Sequence, residues 1–357
     1  MTSVQRDRAP AHSGSFVLLT RDAFRDAVFK RDGHKCLVCD RAAVDAHHVI
    51  DRKLWPDGGY YLENGASVCE EHHLEAEATT LSCDRLRELA GITRFPLPEH
   101  LQHDQPYDKW ANPILPNGMR MRGELFDDAS VQKILAPVLA LFTDRVKYPR
   151  TYHLPWSPGV TKDDRVLHDL GRFTGAGNGP ARVVVTVKMD GENTTMYPDY
   201  LHARSTEYDP HPSRSWVKAL HARVGPDIPK GWRVCGENLY AKHSIKYEHL
   251  SDYFQGYSIW NERNVCLSWD ATELWLGLLG LKTTPVLYDG PWNERLIRSL
   301  YQERFRGDPC EGYVVRLYEG FHYREFRHCT AKYVRPNHVT THGHWMRTIV
   351  EPNTVEP

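Results

Sequence analysis

The stretch from Ala181 to Asn193, ARVVVTVKMDGEN, decides how the longer part of this chain folds. Its run of valine and threonine is too short for a helix and too rich in β-branched residues for a loop, so ARVVVTVKM (181–189) reads as a strand that Lys188 ends. Asp190 and Gly191 then form a tight turn, which leaves Lys188 at the point where strand gives way to turn. Working downstream, RVCGENLY (233–240), GYSIW (256–260) and GYVVRLY (312–318) are further strands separated by turn residues, and residues 293–305 read as helical. The pattern predicts a mixed α+β domain over residues 148–357.

Upstream, a short helix over 130–142 is weakened by Pro137, and Phe95 to Pro116 carries five prolines without a clean period. Residues 96–147 are therefore read as a linker and connecting helix. A compact module over 20–95 precedes them. Thr20 caps a helix that places Phe24 and Val28 on one face and stops at Gly33, and Ser82 caps a second helix, CDRLREL, that ends at Gly91.

That module carries a metal pattern. Cys36 and Cys39 form a C-x2-C pair, and Cys69 with His72 forms a C-x2-H pair thirty residues on. Two such tight turns can point four ligands at one tetrahedral zinc. Between and beside the pairs lie DAHHVI with His47 and His48, LENGASVC with Asn64, and His73 directly after His72. Glu77, four residues beyond His73, would share its helix face.

Composition narrows the partners. Lys and Arg total 45 against 46 Asp and Glu, so a basic carpet is excluded and nucleic-acid contact must come from a local patch. The start, MTSVQRDRAPAHSGS, lacks a secretory apolar core, and the longest apolar run, Leu274 to Leu281, is too short to span a bilayer. These features predict a soluble cytoplasmic protein with reduced thiols and no membrane partner. Cys235, Cys266, Cys310 and Cys329 stand singly and read as small core residues.

The N-terminal order of motifs resembles the HNH nucleases over about residues 24–77. The resemblance implies a zinc-stabilised ββα-metal module, with Cys36, Cys39, Cys69 and His72 on structural zinc. It implies further that His47 and His73 bind the nuclease's divalent ion, that His48 is the general base, and that Asn64 holds the base loop. A metal would stabilise charge at the phosphate while a near-neutral histidine takes a proton from water.

In the second region, KMDGEN is followed by HARS with Arg204, GENLY with Glu237, EGYVVR with Glu311 and AKYVR with Lys332. This ordered set resembles the covalent nucleotidyltransferases, namely polynucleotide ligases and capping enzymes, over about residues 148–338. The implied fold is an α+β nucleotidyltransferase, ATP-grasp-like. Lys188 would be the nucleophile toward ATP, which requires a neutral amine and neighbours that lower its pKa, such as a metal or Lys332. Asp190, Asn193, Arg204, Glu237, Tyr257, Glu311 and Lys332 would complete the ATP and AMP site, with Glu311 on Mg or Mn and Glu237 on the ribose. Asn193 matches an asparagine of RNA ligases that seal nicked duplexes.

Two positions depart from the pattern. The adenine-stacking aromatic followed by Asp is here Tyr257 followed by Ser258, and the second lysine of the last motif is replaced by Val334 and Arg335. Only 25 residues follow Lys332, short of an oligonucleotide-binding barrel, which points to the RNA-ligase branch. Lys242, His243, Lys246, Arg324 and Arg327 read equally as a solvated face or an RNA track. The segment KYPRTYHLPWSPGVTKDD (147–164) holds residues suited to nucleic acid without a derived role.

The expected function is an ATP-dependent RNA ligase joining 3′-hydroxyl and 5′-phosphate ends through lysyl-AMP, fused to a metal-dependent nuclease, in nucleic-acid repair. The alternatives are a ligase whose zinc module is a non-catalytic clamp, or a minimal DNA ligase. The expected partner is RNA, with a nicked duplex and an RNA–DNA hybrid both open.

Overall fold

A computed structural model describes residues 16–356 except 102, 104–105, 163, 176, 205–210 and 337–349. The polar start at 1–15 and much of the stretch beyond Lys332 thus lie outside the described residues. The chain divides into two compact units: residues 1–114 with 123–142, and residues 115–122 with 143–357.

In the first unit the helix Arg21–Arg31 begins where the Thr20 hydroxyl accepts from the Ala23 N–H, and it buries Phe24 and Val28. Strand Asp45–His48 pairs antiparallel with Gly65–Val68, and helix Glu70–Glu77 follows directly. Gly65 has to be glycine because a Cβ there would lie 2.3 Å from Val28 Cγ2. Helix Cys83–Leu89 starts at Ser82, whose hydroxyl accepts from the Arg85 N–H.

The stretch expected as a linker, 96–147, is shared between the units, with 96–114 and 123–142 in the first. Its prolines break helical periodicity, but its apolar residues still pack. Trp110, Leu125, Phe126, Val131 and Leu135 are buried with Val49, Ile50, Leu54 and Leu86 in one core. Pro137 has the effect its missing N–H demands: helix Ala129–Leu135 gives way to a 3-10 turn over Ala136–Leu141.

The second unit is mixed α+β, built on two sheets. One runs in the order Val286–Pro291, Arg182–Val187, Gly312–Leu317, Thr330–Val334, Tyr152–His153, and only its last pair is parallel. The other runs Phe321–His322, Val265–Cys266, Phe254–Trp260, Arg233–Asn238, Glu192–Met196, Leu201–Ala203, with Lys282–Thr283 added beside Phe254–Trp260. Strand alternation sorts the faces of the first sheet. Val183, Val185, Tyr313, Val315 and Ala331 bury in a core with Phe173 and Trp292, while Thr186, Val314, Thr330 and Lys332 line a cavity. Helix Ser215–Val224 packs Val217, Leu220 and Val224 with Leu276 of helix Trp269–Leu278.

The helix expected over 293–305 is shorter, Glu294–Ser299 capped by Asn293, because Arg304–Phe305 pairs with Asp308–Pro309 in a hairpin. The four single cysteines are buried, as core residues should be. Among the described residues no helix is long and apolar enough to cross a membrane.

Candidate active sites

The KMDG turn joins the two sheets of the second unit, since Arg182–Val187 lies in one and Glu192–Met196 in the other. Asp190 fixes the turn: its Oδ2 accepts from the N–H groups of Ser244 and Ile245, both at 2.7 Å. Gly191 lets the turn close against the next strand, where a Cβ would meet the Asn238 carbonyl oxygen at 2.5 Å, and its N–H donates to Glu237 Oε1 at 3.1 Å. Lys188 is thereby held at a strand end with its amine in a cavity of about 250 Å³.

The cavity brings together Lys188, Asn193, Arg204, Glu237, Tyr257 and Lys332 from five separate stretches of sequence. Lys188 Nζ donates to Glu311 Oε2 at 2.5 Å. Burial lowers the Lys188 pKa, but the carboxylates of Glu311, Glu237 and Asp190 outweigh it and the net direction is upward. Burial, reinforced by Glu311 and Asp190, pushes the Glu237 carboxyl up to about 8. Lys332 moves the other way, down to about 8, through burial and the nearby cations Lys188 and Arg204, with Asp164 opposing.

The two sequence departures resolve differently. Tyr257 and Ser258 both line the cavity; the Tyr257 hydroxyl accepts from Asn193 Nδ2, and Ser258 Oγ accepts from Trp260 Nε1 at 3.1 Å. Alternation along Thr330–Val334 puts Thr330 beside Lys332 on the cavity face, and Arg335 is not among the lining residues. Arg150, Arg204 and Arg316 supply the other cations of the lining. Lys242 and Lys246 are ion-paired with Glu351, at 2.9 and 3.3 Å. Asp164, 3.3 Å from Lys332 Nζ, was not singled out by sequence reasoning, although the segment that carries it was.

In the first unit the side chains of Cys36, Cys39, Cys69 and His72 converge, with all four donor atoms within 4.8 Å of one another. The Cys39 and Cys69 sulfurs are 3.7 Å apart, and a tetrahedron with Zn–S near ~2.3 Å requires an edge of about that length. The Arg41 side chain donates to Cys39 Sγ at 3.2 Å and brings that thiol down to about 6. The donor set fits zinc.

Beside it, Asp45, His47 and His73 form a second convergent set. Neighbouring positions on a strand face opposite ways, so His47 and His48 separate. His47 is buried near Glu77, at 3.5 Å, and both of its ring nitrogens lack a hydrogen-bond partner among the described residues. His48 instead stacks on Phe24, ring centroids 4.6 Å apart, with Tyr60 edge-on. Burial and the nearby Lys109 lower both imidazoles, His48 to about 4, so both are neutral near pH 7. His73 is raised by Asp45, 2.9 Å away. Asn64 ties the turn after His48, donating to the carbonyls of Ile50 and Gly59 and accepting from the Ile50 N–H.

One residue here gave no sequence signal. Lys109, from the proline-rich stretch, is buried with Nζ 3.0 Å from Glu77 Oε1, 3.7 Å from Asp51 Oδ2 and 3.0 Å from the His48 carbonyl oxygen. Glu77 is thus shared between Lys109 and the two histidines.

Comparison with known proteins bears on the second unit. Residues 181–334 match the RNA ligase family. The matched stretch spans Lys188 through Lys332. A Naegleria gruberi RNA ligase mutant with ATP and Mn is similar at 15% identity over 54% of this chain and 56% of its own, TM-score 0.38. An apo mutant of the same ligase aligns over 92% of this chain and 83% of its own, at 13% identity and TM-score 0.40. An archaeal ATP-dependent RNA ligase aligns at 14% identity over 54% of this chain and 48% of its own, TM-score 0.35. The chain thus spans little more than half the length of the first of these ligases. No curated protein matches the sequence.

Proposed function

We propose that this chain is an ATP-dependent RNA ligase that joins 3′-hydroxyl and 5′-phosphate ends through a lysyl-AMP intermediate and carries an HNH-type nuclease in its first unit, acting in nucleic-acid repair. The observation that supports the ligase reading most is the placing of Lys188 Nζ in one cavity with Glu237, Arg204, Tyr257 and Lys332, against Glu311.

The amine of Lys188 forms a bond to the α-phosphorus of ATP as the bond to pyrophosphate breaks, and Glu311 Oε2 is the nearest acceptor for the departing proton. Lys332 and Arg204 stand where cations offset phosphate charge. AMP then passes to a 5′-phosphate, and a 3′-hydroxyl displaces it. Glu311 is the residue suited to hold Mg or Mn, which would add positive charge against the triphosphate, and Glu237 is suited to the ribose.

For the nuclease, the unpartnered nitrogens of His47 support a ligand role with His73 and Asp45, and an ion there would stabilise charge on a scissile phosphate. His48, neutral near pH 7, can take a proton from water. The clamp reading keeps one supporting observation: Lys109 already neutralises Glu77 within the His cluster.

Labelled ATP with a divalent ion should give an acid-labile, alkali-stable protein–AMP adduct. Lys188→Ala should lose the adduct and ATP-dependent sealing yet still join a pre-adenylylated strand. An adduct that persists in Lys188→Ala overturns the ligase reading. Nicked duplexes with RNA or DNA on each side separate RNA from DNA ligation. Cleavage with magnesium, manganese or nickel that disappears in His48→Ala separates nuclease from clamp.

A further inference from the structure

The segment 147–164 is the part of the sequence pattern that the function above leaves without a role, and the structure gives it one. Strand Tyr152–His153 runs parallel to Thr330–Val334, with His153 in register with Lys332, and the Leu154 N–H donates to the Lys332 carbonyl oxygen at 2.7 Å. The chain then wraps the end of that strand. Ser157 Oγ accepts from the Val334 N–H at 2.9 Å, and the Gly159 N–H donates to the Val334 carbonyl oxygen at 2.9 Å. Gly159 passes so close that a Cβ would sit 2.4 Å from the Arg335 carbonyl oxygen.

This wrap returns Asp164 to the cavity face of the same strand. Its Oδ1 lies 3.3 Å from Lys332 Nζ and 3.3 Å from His153 Nε2. Its Oδ2 accepts from the N–H and the hydroxyl of Thr161, at 3.1 and 2.8 Å. His153 is wholly buried, and its Nδ1 is 2.8 Å from Ser157 Oγ, the atom that also binds Val334. Oδ2 is therefore fixed from behind by Thr161, and Oδ1 lies between His153 Nε2 and the Lys332 amine.

We infer that Asp164 is a positioning residue, anchored by His153 and Thr161, that holds the Lys332 ammonium at the nucleotide cavity. The inference rests on the ligase reading for its consequence in catalysis.

The balance of charge gives the direction of the effect. Lys332 faces Asp164, with His153 behind it, on the side of the wrap, and two cations, Lys188 and Arg204, from the rest of the cavity lining. Burial and both cations favour the neutral amine, and Asp164 is the carboxylate that opposes them. Without it, Lys332 loses its proton at lower pH and stops offsetting phosphate charge nearer to neutrality.

The test compares Asp164→Asn, which keeps the shape and the Thr161 contacts, with the wild type in the full chain. Adduct formation from labelled ATP should lose its alkaline side at lower pH, by about one pH unit, a roughly fivefold loss at the wild-type midpoint. Asp164→Glu should recover part of the profile. A purely structural role would lower thermal stability and reduce the rate equally at every pH, and that outcome overturns the inference. An independent reading needs no ATP: after reductive ¹³C-methylation, the signal missing from Lys332→Arg should titrate at lower pH in Asp164→Asn. Equal titration in the two proteins overturns the inference even if no adduct forms. A wild type without an adduct strikes the ligase reading instead.

Discussion

Each unit sets a lysine against a glutamate, and the two pairs are built for different ends. Lys188 meets Glu311 at 2.5 Å on the wall of a cavity, with 23% of its side chain still exposed. Lys109 meets Glu77 at 3.0 Å, with Asp51 and the His48 carbonyl oxygen as further acceptors, and only 4% of its side chain is exposed. Three fixed acceptors hold an ammonium in one place and leave it no room to react. A single carboxylate beside open volume holds the charge just as close, yet lets a substrate in to displace it. Distance alone does not distinguish the two lysines; the number of acceptors and the adjoining space do.

The comparison implies that the two units depend on different things, and removal of the zinc that Cys36, Cys39, Cys69 and His72 would hold is the harshest test of it. Zinc binding to such ligand sets contributes about 10–16 kcal/mol at neutral pH, most of it as folding energy. Cys69→Ala should therefore lose about one tightly held zinc per chain and the hydrogen-exchange protection of residues 36–77, while lysyl adenylylation at Lys188 continues. Loss of both together would show that the second pair is not self-sufficient.

Next in size is the contrast between the lysines themselves. Lys109→Met strands Glu77 and Asp51 beside each other in a buried site, a loss of about 3–5 kcal/mol. Lys188→Met abolishes the adduct, yet cavity water can solvate Glu311, so the stability cost should be about 1 kcal/mol or less. Urea unfolding followed separately for the two units measures both, and equal costs would break the distinction. Asn64→Ala should fall between them at about 1–3 kcal/mol, because the Ile50 N–H and carbonyl lose their partner.

What the sequence made legible was chemistry compressed into a few residues. Thr20 and Ser82 cap helices through contacts three positions away, the Cys pairs are each closed by one turn, and Lys188 to Gly191 is a strand end plus a turn. Lys109 and Asp164 were invisible because their partners lie far off in sequence, 61 positions for the His48 carbonyl and 168 for Lys332. Proline-rich composition was misleading for a related reason. It shows that residues 96–114 lack a period, but says nothing of whether Trp110 finds a core. The other cations of the cavity were likewise beyond reach, since Arg150 and Arg316 come to the lining from other stretches of the sequence than Lys332.

The finest consequence is a slope rather than a loss, and it belongs to the open pair alone. Burial raises the Glu237 carboxyl to about 8, with Glu311 and Asp190 adding to the rise and Lys188 and the Gly191 N–H opposing it. In the unfolded chain a glutamate titrates near ~4.3. Between those values the folded protein keeps a proton that the unfolded chain has released, so rising pH favours unfolding across the window and has no further effect through this group above it. Glu237→Gln removes the titration, and the urea midpoint of the second unit should then fall less between pH 5 and 8 than in the wild type. Lys109→Met, a change in the other unit, should leave that slope unchanged. If Glu237→Gln and the wild type run parallel, water in the cavity already solvates the carboxylate, and the open volume beside Lys188 also relieves the glutamate across from it.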